Sequence, residues 1–201
     1  MGVIITSNLK VSKQCQNAYN KAIKILGLIN TTIQFRNKRI LLCLYKSLIR
    51  PLLEYCTPAW SPYYIKDKVL LEKAQHRFTR MIPGLKKLDY NCRLETLGIW
   101  SLEERRNRAD IIEVYKILKG LTTTIPQSLF ELSNESRTRG HSLKLAKHRC
   151  NSDLRRFFFS ERVIERWNKL TQLEIDAKSV NAFKSALDKK RSMETEFFED
   201  K

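Results

Sequence analysis

RPLLEYCTPAWSPYY, Arg50 to Tyr64, crowds one cysteine, one tryptophan, three prolines and three tyrosines into a short span. Such crowding marks either a site or a piece of architecture. A cysteine nucleophile needs a histidine base within reach, and the spacing offers Cys56 no such partner. Read as architecture, the stretch makes sense. A helix carrying Ile40, Leu41, Leu44, Tyr45, Leu48 and Ile49 toward a core arrives at Pro51, which has no N–H to donate, so the helix kinks or restarts there. Leu52, Leu53, Tyr55 and Trp60 then pack the core, with Cys56 as a small buried hydrophobe. Pro58 and Pro62 fix the exit.

The same helical grammar runs outward in both directions. Upstream, Cys15, Ala18, Tyr19, Ala22, Ile25, Leu26 and Ile29 recur at intervals of three and four, one apolar stripe. Asn37 is placed to cap the next helix. Downstream, Ile65 to Ile82 buries Leu70, Leu71, Ala74, Phe78, Met81 and Ile82, and Pro83-Gly84 stops it. Ser101 and Glu104 form a capping box, opening a helix that ends at Gly120. Ser160 is expected to cap a helix with Val163, Ile164, Trp167 and Leu170 on one face, and Ser179 a last helix with Val180, Phe183 and Leu187 inward. Phe157, Phe158 and Phe159 are expected to pack against Trp167. Only Gly2 to Thr6, with its run of Val3, Ile4 and Ile5, predicts a strand. The chain therefore reads as mainly α.

Charge limits the partners. Lys and Arg number 38 against 21 Asp and Glu, a formal charge of +17 in 201 residues, so the surface attracts polyanions. Lys66, Lys73, Arg77 and Arg80, spaced by seven, four and three, share one helical face. Between Arg137 and Arg156 lie Arg137, Arg139, Lys144, Lys147, Arg149, Arg155 and Arg156 against the single acid Asp153. Both features suit sequence-independent phosphate contact. No apolar run reaches the ~18 residues of a membrane span, and MGVIITSNLK does not read as a signal peptide. The five cysteines, odd in number and spread out, read as reduced thiols of a nuclear or cytoplasmic protein rather than a secreted one.

Chemistry of its own finds little support. The aspartates are scattered with no D-x-D, so no pair is placed to hold Mg²⁺. His141, His148 and Cys150 come nearest to zinc-ligand spacing, but read better as part of a nucleic-acid-facing segment. No phosphate-cradling glycine loop occurs. No catalytic residue, metal site or cofactor is expected.

At this point several motifs agree in order with one family. LYKSLIRPLLEYCTPAWSP (Leu44 to Pro62), LEKAQHRFTRMIPGL (Leu71 to Leu85), RLETLGIWSLEERRNRADIIEVYKILKG (Arg93 to Gly120) and FFFSERVIERWNKL resemble the end of the reverse transcriptase of non-LTR retrotransposons of the jockey-like clade. MGVII is similar to the strand that closes that polymerase's palm.

The resemblance implies a helical thumb-like bundle at residues 10–98 after a palm-edge strand remnant at 1–9. A smaller helical C-terminal region follows at 99–188, containing the basic segment 137–156, with a flexible charged tail at 189–201. It implies a truncated fragment of an RNA-directed DNA polymerase, starting at an internal Met. The fragment lacks the palm, its catalytic aspartates and its Mg²⁺, and is no enzyme on its own. The partners implied are the missing palm and RNA or an RNA–DNA hybrid. Arg50, Gln75, His76, Arg77, Arg80 and Lys86 match the motif positions expected at the template–primer backbone. His76 stands where the family has a basic residue, which weakens that contact at neutral pH. The other reading is a non-functional or domesticated relic acting as a protein-interaction module.

Overall fold

In a computed structural model of the chain, residues 2–133, 140–194 and 196–200 are described. They are mainly helical. The elements are α1 (Ser12–Thr32), α2 (Lys38–Leu44), a π turn (Tyr45–Ile49), α3 (Arg50–Glu54), α4 (Thr57–Trp60) and α5 (Ile65–Met81). Then come α6 (Tyr90–Leu97), α7 (Leu102–Leu118), a 3-10 turn (Pro126–Ser128), α8 (Asp153–Arg156), α9 (Phe159–Arg162), α10 (Ile164–Asn168), α11 (Gln172–Ile175) and α12 (Val180–Met193). The chain divides into two compact units, Met1–Arg105 and Arg106–Lys201. The division falls inside α7 rather than after Gly98, because Leu102 is fully buried in the core of the first unit.

In that unit α1 lies along α5 and also meets α3 and the π turn. The stripe predicted on α1 buries Cys15, Ala18, Ala22, Leu26 and Ile29, and α5 answers with Leu71, Ala74 and Phe78. Ser12 Oγ donates to Asp67 Oδ2 at 2.6 Å, joining the first turns of the two helices. Asn37 caps α2 through Arg39 N–H at 2.8 Å, and the Ser101–Glu104 box closes at 3.0 and 3.1 Å.

The opening stretch resolves into a π turn. Leu41, Tyr45, Ile49 and Leu53 are buried, four residues apart each time. Four residues over-rotate an α-helix by roughly 40°, so such a row would wander off the core. The wider turn at Tyr45–Ile49, with Arg50 N–H bonded to Tyr45 O, takes back part of that rotation where Pro51 removes a donor. Ile40 and Leu48, expected inside, fall on the exposed side of this row. Trp60 is buried and its Nε1 donates to Tyr55 O at 2.7 Å, while the Tyr55 side chain itself faces solvent. Cys56 corrects the expectation of a buried thiol. It is exposed, with φ 55°, the left-handed hinge between α3 and α4.

Residues 2–6 form no strand. Among the described residues the only β pairing is an isolated bridge, Leu132 with Leu145. A strand needs a partner for its backbone groups, and here Ile4 N–H donates instead to the Gln14 side chain at 3.0 Å.

The second unit packs the later part of α7, the short helices α8 to α11 and α12 around Trp167, Phe183, Tyr115 and Phe198, all buried. Tyr115 stacks on Phe183 at 4.2 Å, and Asp110 receives both arms of Arg162 at 2.8 and 3.0 Å. Ser179 caps α12 as predicted, through Ala182 N–H at 3.1 Å. Ser160 does not cap. It sits inside α9, buried, because the helix begins two residues earlier than expected, with Phe158 at the cap position. The aromatic run divides: Phe159 is buried with its edge toward Phe130, and Phe158 is half exposed. In the tail expected to be flexible, described residues are anchored. Helix α12 runs on to Met193, Phe198 is fully buried, and Asn107 Nδ2 donates to its carbonyl at 2.7 Å. Among the described residues no helix is long and apolar enough to cross a membrane.

Candidate nucleic-acid interface

Helix α5 is amphipathic in a particular way. Its inner face carries Leu71, Ala74, Gln75, Phe78 and Thr79, all buried, which turns Lys66, Lys73, Arg77 and Arg80 outward, each exposed. Residues 66 to 80 span about 21 Å of helix. A cleft of about 570 Å³ opens along this face, lined by Val69, Glu72, Lys73, His76, Arg77 and Arg80. Lys73, Arg77 and Arg80 have no carboxylate partner among the described residues. Three unpaired cations on one cleft wall repel one another, so an anion entering it gains from all three. Lys66 stands apart from the cleft, over the Tyr64 ring at 5.5 Å. Lys86 is exposed in the turn after Gly84. Arg50 is half-buried, 3.9 Å from Glu54, a carboxylate that Arg105 also grips.

Gln75 leaves the set of phosphate contacts. It is only 1% exposed, and its amide is consumed by the core. Tyr45 donates to its Oε1, and its Nε2 donates to Tyr90 Oη at 3.0 Å and Trp100 O at 2.9 Å. Glu72 completes the network by accepting from Tyr90 Oη and from Leu102 N–H at 3.1 Å. This web ties α5 to the π turn, α6 and the start of α7. It holds the cation-bearing face in place from behind. Burial raises both phenols far above their usual range, with Glu54 and Glu72 adding to the effect at Tyr45 and Glu72 at Tyr90. They remain donors.

Sequence reasoning missed the layer beneath the cleft. His76 stacks on Tyr90, ring centroids 3.5 Å apart, and Arg93 lies against both. Arg93 is 2% exposed and donates to His76 O at 3.2 Å and Thr79 Oγ1 at 2.8 Å, with its Nη2 3.4 Å from His76 Nδ1. Its Nε has no partner. A buried guanidinium with no carboxylate is unusual, because desolvating a charge is costly unless it is paired. Burial first, then Arg93 and Arg80, lower the His76 pKa. No sequence signal marks Arg93, since it follows Asn91 and Cys92 on a short helix without any motif of charge.

The basic segment of the second unit is less one-sided in space than in sequence. Lys147 pairs with Glu165, His148 with Glu131 at 3.2 Å, and Arg155 with Glu161 at 2.9 Å. These acids come from outside the segment. Lys144 is half-buried and Arg149 exposed; Arg137 and Arg139 lie outside the described residues. His141 does not face a ligand. It is 4% exposed, its Nδ1 accepts from Leu143 N–H at 3.2 Å, and its Nε2 donates to Trp167 O at 3.1 Å. Among the described residues no three His, Cys, Asp or Glu side chains converge as metal ligands.

No protein-family model matches the chain, and no curated protein or solved structure resembles it significantly.

Proposed function

We propose that the first unit binds double-stranded nucleic acid, RNA–DNA hybrid or RNA duplex, through its phosphates. Lys73, Arg77, Arg80 and His76 form the contact cleft, with Lys66, Lys86 and Arg50 flanking it. The supporting observation is the cleft itself, where three cations without carboxylate partners stand on a helix face backed by a hydrogen-bonded polar core. Lys and Arg outnumber Asp and Glu by more than two to one in residues 1–105, so the field there favours a polyanion. Contacts of this kind neutralise phosphates and carry no base readout.

Read with the motif resemblance, the chain is the thumb and following region of a non-LTR retrotransposon reverse transcriptase, in the nucleus or cytoplasm. Nucleotide addition would belong to the palm, which would also supply the metal-binding aspartates. The N-terminal segment favours that partner: Ile5 is 78% exposed and Leu9 62%, apolar surface of the kind that a neighbouring domain covers. Lys144, Lys147 and Arg149 would add weaker contacts in the second unit.

The test is fluorescence anisotropy with a labelled RNA–DNA hybrid across a salt series. Binding that weakens steeply with salt and is indifferent to sequence supports the reading. Absence of binding at micromolar protein and low salt sinks it. Incorporation of nucleotides by this chain alone with Mg²⁺ would overturn the assignment of chemistry to another domain.

A further inference from the structure

Among the described residues that line the cleft, His76 is the one polar side chain that is neither a carboxylate nor a Lys or Arg cation, and not all of its polar atoms are spent inside the protein. Its surroundings dictate how it presents itself. From α5 itself come Glu72, Lys73, Arg77 and Arg80. From α6 come Tyr90, stacked on the ring, and Arg93, at Nδ1. Asp89, the residue that caps α6, is the remaining charged neighbour.

A guanidinium has donors only. Where Arg93 Nη2 meets His76 Nδ1, that nitrogen must therefore accept, and it carries no proton. The proton of the ring then sits on Nε2. Nε2 has no hydrogen-bond partner among the described residues, and it is the ring's one remaining polar atom in a residue that lines the cleft beside Lys73, Arg77 and Arg80. The Tyr90 stack fixes the plane of the ring. Arg93 is itself held by Thr79 Oγ1 and the His76 carbonyl, so the arrangement is set by three contacts on two helices.

We propose that Arg93 is a positioning residue that holds His76 as an Nε2–H donor aimed at a phosphate oxygen in the cleft. The inference rests on reading the cleft as a phosphate site. It deepens that reading by assigning His76 a directed hydrogen bond where the three cations supply only charge. It also gives a buried arginine that lacks a carboxylate partner a ring nitrogen to donate to.

The experiment compares binding of a short labelled RNA–DNA hybrid at about pH 8, well above the ordinary histidine range. The proteins are the wild-type chain, His76→Gln, His76→Phe, and the triple variant Lys73→Ala/Arg77→Ala/Arg80→Ala. The amide of Gln places an N–H near the position of Nε2; Phe keeps the stack but has no donor. The expected result is His76→Gln within about two-fold of wild type and His76→Phe about ten-fold weaker. If wild type does not bind, or the triple variant binds as wild type does, the phosphate reading of the cleft falls. If that reading holds but His76→Phe equals wild type, the directed donor falls alone.

A second measurement needs no ligand. Nitrogen-15 spectra of the His76 ring should show the proton on Nε2 in wild type and a mixture of both tautomers in Arg93→Met. A wild-type ring protonated at Nδ1 overturns the proposal even if Arg93→Met fails to fold.

Discussion

Tyr45 donates its phenolic hydrogen to Gln75 Oε1 in the core of the first unit, joining the π turn to the middle of α5. The bond lies directly behind the cleft, since Gln75 and His76 are consecutive. Positions 73, 76, 77 and 80 look outward because 71, 74, 75 and 78 look inward. The orientation of the candidate interface is therefore set by this buried network. Replacing Gln75 with Ala removes the acceptor of the Tyr45 phenol and the amide donor to Trp100 O. It should destabilise the protein by about 3 kcal/mol, read as a lower urea midpoint at unchanged slope. Tyr45→Phe should cost about 1 kcal/mol. Hybrid affinity should fall in step with stability, because the network holds the cleft face in place; a loss of affinity without a loss of stability would return Gln75 to the interface.

The cleft cations should be visible in salt dependence. Each phosphate neutralised contributes about 0.9 to the slope of log K against log salt. Lys73→Ala/Arg77→Ala/Arg80→Ala should therefore lower the slope by about 3, while thermal stability stays within about 0.5 kcal/mol because these side chains are exposed and unpaired. Lys147→Ala should change the slope by less than one full contact, since Glu165 already occupies that ammonium. An equal effect from Lys147 would place the main contact in the second unit.

His141 sets an acid limit on the second unit. Burial is the main cause of its lowered pKa, and Lys144 adds to it, against the opposing hydrogen bond to Trp167 O. The folded protein thus holds the ring neutral below the ordinary value of about 6.5, where the unfolded chain has taken up a proton. Above that value the two states bind protons alike, and the residue contributes no pH dependence. As pH falls below it, stability is lost, by at most about 1.4 kcal/mol per pH unit from this one group. Chemical denaturation followed by Trp fluorescence between pH 8 and pH 5 should show the loss. It should shrink in His141→Gln, and an identical pH profile in the variant would exclude His141 as the cause.

Phe198 tests the anchored tail. A fully buried aromatic ring replaced by alanine costs about 3 to 5 kcal/mol, so Phe198→Ala should unfold the second unit at lower denaturant. The exposed Leu173, 87% accessible, is the control, with an effect near zero on Ala substitution. Hydrogen exchange at residues 196–200 as fast as in an unstructured peptide would show the tail to be frayed after all.

The cysteines give a quick check on the core. Cys43, Cys56 and Cys92 are exposed, and Cys15 is fully buried on α1. Native protein should take up an alkylating reagent at the first three, with Cys15 modified only on unfolding. Protection of Cys56 would restore it to the interior.

The sequence by itself determined what depends on neighbours in the chain. The apolar stripe of α1, the caps at Asn37, Ser101 and Ser179, the helical irregularity next to Pro51 and the shared face of Lys66, Lys73, Arg77 and Arg80 all follow from helical period and backbone hydrogen-bond supply, which act over three or four residues. Tertiary structure alone decided which way a residue with two possible environments turned. Gln75 sits one position from His76, which is half-buried at the cleft, and only the nearness of Tyr45, Tyr90 and Trp100 drew its amide inward. Arg93 became the support of His76 because α6 packs under α5. The charge of Lys147 and Arg155 was offset by Glu165 and Glu161, acids from outside the basic segment. Tyr55, Cys56 and the tail at Phe198 went against local expectation for one physical reason: burial is decided by the elements a side chain meets after the chain has folded back, and that meeting leaves no periodic trace in the sequence.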